Sequence, residues 1–452
     1  MTTWWCEQAW LADAPVARVR VEAAGGTITA VVPDVDPQPE DVRLPGLVLP
    51  GFANAHSHAF HRALRGRTHD EDGTFWTWRK RMYAVACRLD PDSYLDLARA
   101  AYAEMALAGV TAVGEFHYLH HGPDGVPYDD PNAMALSLLQ AADDAGLRLT
   151  LLDTCYLAGG LSGDGHAPLE GVQTRFGDGD AEHWAARVAA LRSAMHSSPQ
   201  SIVVGAAVHS VRAVPRDQLG GMRAAVEGWR ADGPTPLHVH LSEQPAENEA
   251  CQRFYGLTPT ALLDDEGLLG EHSTVVHATH LSDHDIVRIG RTTTTACFCP
   301  TTERDLADGI GPARALADAG APVALGSDQH AVVDPFEEAR GLEAHERLNT
   351  LQRGRFAPSQ LLTAMTSAGH ASLGRPGAGR IEVGSPADLV AVRLDSVRTA
   401  GSRAEQVVHC ATAADVHHVV AGGRTIVEDG QHVLGDVGAL LREAIEPLWE
   451  GL

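Results

Sequence analysis

The chain of 452 residues has almost no lysine: of its 35 basic residues only Lys80 is one, and the rest are arginine. Schiff-base chemistry and a Walker-A phosphate loop are therefore excluded everywhere except at that position. Basic charge as a whole is scarce, with 59 acidic residues against 35 basic and a net charge of -24. Such a chain is a poor general binder of nucleic acid or anionic membrane, which need dense Lys/Arg neutralisation. The seven cysteines are odd in number, scattered and without a CxxC pair, which argues against a disulfide framework. No apolar run approaches the roughly 18–20 residues of a membrane span. The first residues, Met1-Thr-Thr-Trp-Trp5, lack the basic-then-apolar order of a secretory leader. These absences together lead to the expectation of a cytoplasmic protein. The 44% hydrophobic and 21% charged composition is that of an ordinary globular chain rather than a disordered one.

What is abundant is histidine, 24 residues in clusters. The clusters fall on a repeating pattern. Eight short, β-rich apolar runs are spaced by Ala/Leu/Arg-rich stretches of helical period: 47–56, 111–117, 147–156, 202–210, 237–243, 274–281, 293–300 and 323–328. Near-continuous apolar strands alternating with helices indicate a parallel sheet covered on both faces. Eight units predict an α/β fold, a (β/α)8 TIM-like barrel over residues 49–379, with a doubly wound open sheet as the alternative. The chain ends read differently. Residues 17–33 and 387–430 form short β runs around the Gly25-Gly26 and Gly422-Gly423 turns. They predict a small β-sandwich domain made from 1–48 and 380–452.

Polar residues recur at the C-terminal ends of the runs: His56, His58, Glu115, His117, His209, His238, His240, His277 and Asp328. That end of a barrel is where catalytic residues gather. In Pro50-Gly51-Phe52-Ala53-Asn54-Ala55-His56-Ser57-His58, the period-two alternation of a strand puts both imidazoles on one side. A lone HxH is common on surfaces. Here it is followed in order by His240 with Glu243 three residues on, by His277, and by Ser327-Asp328. Imidazoles with a carboxylate suit Zn²⁺ or Fe²⁺ in a site left open to water.

The ordered set of HxH, His, His and Ser-Asp on successive barrel strands resembles the amidohydrolase superfamily, and Gly384-Ser-Pro-Ala-Asp388 resembles its returning β-strand. Binuclear members bridge two metals through a carboxylated lysine or a carboxylate near the fourth strand. Lys80 precedes the second run, and the fourth ends in His209, so the layout is similar to the mononuclear deaminase branch. The resemblance implies one divalent metal, zinc before iron, on His56, His58, His240 and Asp328. It also implies Asp328 as general base, Glu243 as proton shuttle and His277 as stabiliser of the tetrahedral centre.

Five stretches closely resemble the formimidoylglutamate deiminases: His56–Phe60, Phe75–Arg79, Glu115–His121, His209–Arg212 and His277–His280. That likeness implies hydrolytic deimination of N-formimidoyl-L-glutamate to N-formyl-L-glutamate and ammonia, as in histidine degradation, by a homodimer. The substrate carries two carboxylates, which the planar fork of arginine binds bidentately. Arg79 and Arg212 are the expected carboxylate partners, with Tyr118, His209 and His61 adding hydrogen bonds. His61 departs from the family, which has Gln there, and leaves room for another formimidoyl amino acid as substrate. Two further alternatives are a purine or pyrimidine aminohydrolase, which would call for an aromatic stacking pocket, and a non-catalytic barrel, which would be expected to lose these ligands.

Overall fold

A computed structural model describes residues 2–69, 75–195 and 202–451. Eight parallel strands pair in chain order: Phe52–Ser57, Val110–His117, Arg148–Cys155, Ile202–Val208, Leu237–Leu241, Ser273–His277, Thr295–Phe298 and Val323–Leu325. The ring closes where Ser57 bridges Asp328 and the backbone N–H of Asp328 donates to the His56 carbonyl over 3.0 Å. Most of these strands are buried along their whole length, because helices cover the outside and side chains fill the inside. This is the TIM-like barrel that the spacing predicts.

The two chain ends join in a second sheet of eight strands. Thr2–Leu11, Ala14–Ala24, Thr27–Val32 and Val42–Pro50 come from the first end, and Leu389–Val392, Val416–Ala421, Arg424–Glu428 and Gln431–His432 from the last. It is antiparallel except where Thr2–Leu11 runs beside Val42–Pro50. One face buries Trp4, Cys6, Val19, Val21, Ile28, Leu389 and Val420 as a separate core. The two glycine turns meet: a Cβ on Gly26, whose φ is +82°, would lie 2.9 Å from the Gly422 carbonyl oxygen. The last helix, Val437–Ile445, leaves this sheet, and beyond it Trp449 donates its indole N–H to the Ala63 carbonyl of the barrel.

One apolar run in the sequence proves to be two strands. Leu47–Pro50 ends a strand of the terminal sheet, and the barrel strand starts at Phe52. Gly51 makes the change of sheet possible, since a Cβ there would stand 2.3 Å from Thr111 Oγ1. Hydrophobicity alone is blind to this junction, because residues 47–56 are apolar in whichever sheet they belong to.

Candidate active site

His56 closes the first barrel strand and His58 follows it, while His240 lies on the fifth strand and Asp328 three residues beyond the eighth. All four are buried, and their potential ligand atoms lie within 4.8 Å of one another. The Nε2 atoms of His56 and His240 are 3.1 Å apart, and the Nε2 atoms of His56 and His58 each lie 3.3 Å from Asp328 Oδ1. Behind them, Nδ1 of His58 donates to the Phe116 carbonyl at 2.9 Å and Nδ1 of His240 to the His209 carbonyl at 3.0 Å. Those bonds fix the tautomer, so both Nε2 lone pairs point inward.

Burial pushes the pKa of His56 down to about 3 against the pull of Asp328, and it lowers those of His58 and His240 as well. Burial also opposes ionisation of Asp328. The hydrogen bond from His56 and the charge of His277 outweigh it and hold the carboxyl well below the usual range. Three neutral imidazoles and an ionised carboxylate converging on one point form a donor set that fits a divalent cation.

Backbone conformation aims the remaining groups. His277 and Asp328 have φ of 70° and 44°, left-handed values that non-glycine residues rarely adopt. Ser242, at φ 50°, turns the chain after the fifth strand and brings Glu243 back to the pocket. His277 Nε2 lies 4.0 Å from Asp328 Oδ2, and its Nδ1 lies 3.6 Å from Glu303 Oε1. Burial opposes a charge on His277, but Glu303, Glu243 and Asp328 outweigh it and lift its pKa to about 10. His277 is thus a proton-bearing donor facing the cluster.

A pocket opens above these groups, lined by His58, His240, His277, Asp328 and Glu243 together with every residue that the sequence pattern offers for substrate: His61, Arg79, Tyr118, His209 and Arg212. His61 Nε2 and Tyr118 Oη are 2.9 Å apart, and burial with the nearby His58 keeps the His61 imidazole uncharged. Arg79 donates through Nη2 to Tyr156 Oη at 3.4 Å and lies over the Tyr83 ring. Arg212 donates to Glu243 Oε2 at 3.2 Å, and its Nε lies 3.3 Å from Glu247 Oε2.

Glu115 and His117 turn away from the pocket, although they too lie at a strand end, and His238, on the same face as His240, sits at the start of its strand rather than at the mouth. Phe116 takes the inward position instead, so its neighbours face the helices or the adjoining strand. Glu115 accepts from Ser57 Oγ and the Ala59 N–H, and His238 lies 2.9 Å from the Ser372 carbonyl. One carboxylate, Glu247, was not singled out by the sequence pattern, and another, Glu303, was legible only as part of the stretch 299–309 after the seventh run, at the mouth. Glu247, on the helix Pro245–Tyr255, is buried and lines the pocket beside Arg212, and Glu303 stands behind His277. Arg304, next to Glu303, is instead half-exposed and pairs with Glu337.

Residues 47–426 match the amidohydrolase family, and the chain belongs to it. It is accordingly a hydrolase acting on C–N bonds. Formimidoylglutamate deiminase of Pseudomonas aeruginosa is 34% identical over 447 residues, which is 96% of each chain. A 5-methylthioadenosine/S-adenosylhomocysteine deaminase of Natronomonas pharaonis is 29% identical over 88% of this chain and 85% of that protein. Among solved structures, an amidohydrolase from Brucella melitensis superposes with a TM-score of 0.91 at 32% identity, covering 99% of this chain and 100% of the other.

Proposed function

We propose that this chain hydrolyses the formimidoyl group of N-formimidoyl-L-glutamate, giving N-formyl-L-glutamate and ammonia. The observation that carries the reading is that Arg79 and Arg212 line the same pocket as the His/Asp cluster. In a chain of net charge -24, a dicarboxylate needs such local guanidinium groups to bind at all. The likeness to a formimidoylglutamate deiminase along 96% of the chain supports the same substrate class.

His56, His58, His240 and Asp328 would hold one divalent metal, zinc by preference for this nitrogen-rich set. When bound, the metal supplies Lewis acidity and brings the pKa of water from about 16 towards roughly 7. Asp328, ionised and beside the cluster, accepts the proton of the attacking water. His277 donates a hydrogen bond to charge developing at the tetrahedral carbon. Glu243 carries a proton to the departing nitrogen, which leaves as ammonia. Arg79, Arg212, Tyr118, His209 and His61 orient the carboxylates, so that the amidine carbon faces Asp328.

A second reading rests on the pocket wall, which includes Trp78, Tyr83, Tyr118, Tyr156 and Phe176. Such a wall can stack a purine. Steady-state turnover of formimidoylglutamate, formimidoylaspartate, guanine and adenosine, with products identified by NMR, separates the two. Formation of formylglutamate with ammonia supports the first reading. Turnover of the purines alone would replace it with the second.

A further inference from the structure

Arg212 lies between two buried carboxylates that approach it from different elements. Glu243 follows the fifth barrel strand, and Glu247 belongs to the next helix, Pro245–Tyr255. The contacts are unequal. Glu243 Oε2 accepts from the terminal Nη2 at 3.2 Å, whereas Glu247 Oε2 faces the inner Nε at 3.3 Å. Glu247 is itself fixed, because its Oε1 accepts the Ser242 backbone N–H at 3.2 Å. Both carboxylates line the pocket, and Glu243 is the one assigned to proton transfer.

A guanidinium offers its Nη edge to a carboxylate ligand as a fork. Glu243 occupies part of that edge. We propose that Glu247 is a positioning residue that anchors Arg212 through its inner Nε, and that Arg212 restrains Glu243 until a substrate carboxylate takes its place. Substrate recognition and release of the proton shuttle are then one exchange on one guanidinium. The inference rests on the dicarboxylate reading above. It adds that a ligand without the carboxylate leaves Glu243 held, so specificity is expressed in kcat as well as in KM.

The test is calorimetric titration of the metal-loaded protein with glutarate, a dicarboxylate that cannot react. Removing the competitor by Glu243→Gln should tighten glutarate binding, by about 5-fold or more. Removing the anchor by Glu247→Gln should loosen it by a similar factor, although both changes delete one negative charge near the same arginine. Tightening by both variants alike would mean that only the local charge matters, and would overturn the inference while leaving the dicarboxylate reading intact. Wild-type kinetics give a check that needs no variant. Formimidoylglutamate should exceed its diamide counterpart in kcat by about 10-fold or more; equal kcat with only KM changed would overturn the exchange. If the wild type neither binds glutarate nor turns over formimidoylglutamate, the reading and the inference fall together.

Discussion

Among the described residues, two groups of buried His and Asp side chains bring their potential ligand atoms within 4.8 Å of one another. The first is His56, His58, His240 and Asp328; the second is His117, His120 and Asp153. By residue type and burial they are nearly equivalent, but their charge balance differs. Asp153 receives Arg187 through two hydrogen bonds of 2.9 Å and the Trp184 indole N–H at 3.1 Å. The same Arg187 reaches Asp178, which His121 also contacts at 3.1 Å. The carboxylate is thus already neutralised between the barrel and the helix Ala181–Met195. Among the described residues, those paired with Asp328 are imidazoles and none is a guanidinium, and a pocket opens on to it. Proximity of ligand-type atoms does not make a site. An ionised carboxylate held by imidazoles rather than by a guanidinium fork, facing a space that substrate can enter, is the better candidate.

Replacing each carboxylate with its amide is the sharpest way to test that contrast. Asp328→Asn should lose the metal and reduce kcat by about 10³-fold or more, because the charge and the base disappear together. Elemental analysis and ammonia release would read both losses. Asp153→Asn should leave metal content and turnover per folded molecule close to wild type. Its cost falls on stability, on the order of 3 kcal/mol in urea unfolding, because a buried guanidinium loses a partner. The same elemental analysis of the wild type should give one metal per chain. Two equivalents, the second of them lost in Asp153→Asn, would break the comparison.

Within the proposed catalytic cluster, the residues proposed to hold a metal should separate from those proposed to act on substrate. Glu243→Gln should retain the metal and lose about 10²-fold or more in kcat, the usual scale for removing a proton-transfer group. Wild-type turnover would remove Glu243 from the mechanism. Arg212→Ala should act mainly on the dicarboxylate, raising KM by about 10-fold or more with metal content unchanged, since a charge-assisted contact is lost. An unaltered KM would show that the carboxylates bind elsewhere.

The division between what was legible in the sequence and what was not follows the same physics. His56, His58, His240, His277 and Asp328 could be read because strand ends in a barrel share one mouth and the chain order of the residues is visible. Glu115 and His117 also lie at a strand end yet face the other way, because a shift of one residue in a period-two element inverts the side chain, whereas His238 shares the phase of His240 but sits at the start of its strand, away from the mouth. Nothing in the order of residues tells which phase wins; packing does, through Phe116 against His56 and His240. Glu247 was hidden, and the role of Glu303 left open, for a different reason. Their importance is a contact to Arg212 or His277, and contacts between elements are set by how helices dock, not by local pattern.

His61 should give the smallest effect and the finest test of that limit. As a departure from the family's glutamine it suggests a changed preference, and protonation would make it a stronger donor to a carboxylate. The structure argues for a milder role. Its ring is buried against His58 at 4.5 Å between centroids, its Nε2 is engaged with Tyr118 Oη, and burial keeps it neutral. A neutral imidazole and a primary amide can both donate one hydrogen bond to the same phenol oxygen. His61→Gln should therefore change the ratio of kcat/KM for formimidoylglutamate over formimidoylaspartate by no more than about 3-fold, less than one buried neutral hydrogen bond is worth. A shift of 10-fold or more would make His61 a determinant of chain length, contacting the substrate directly rather than through Tyr118.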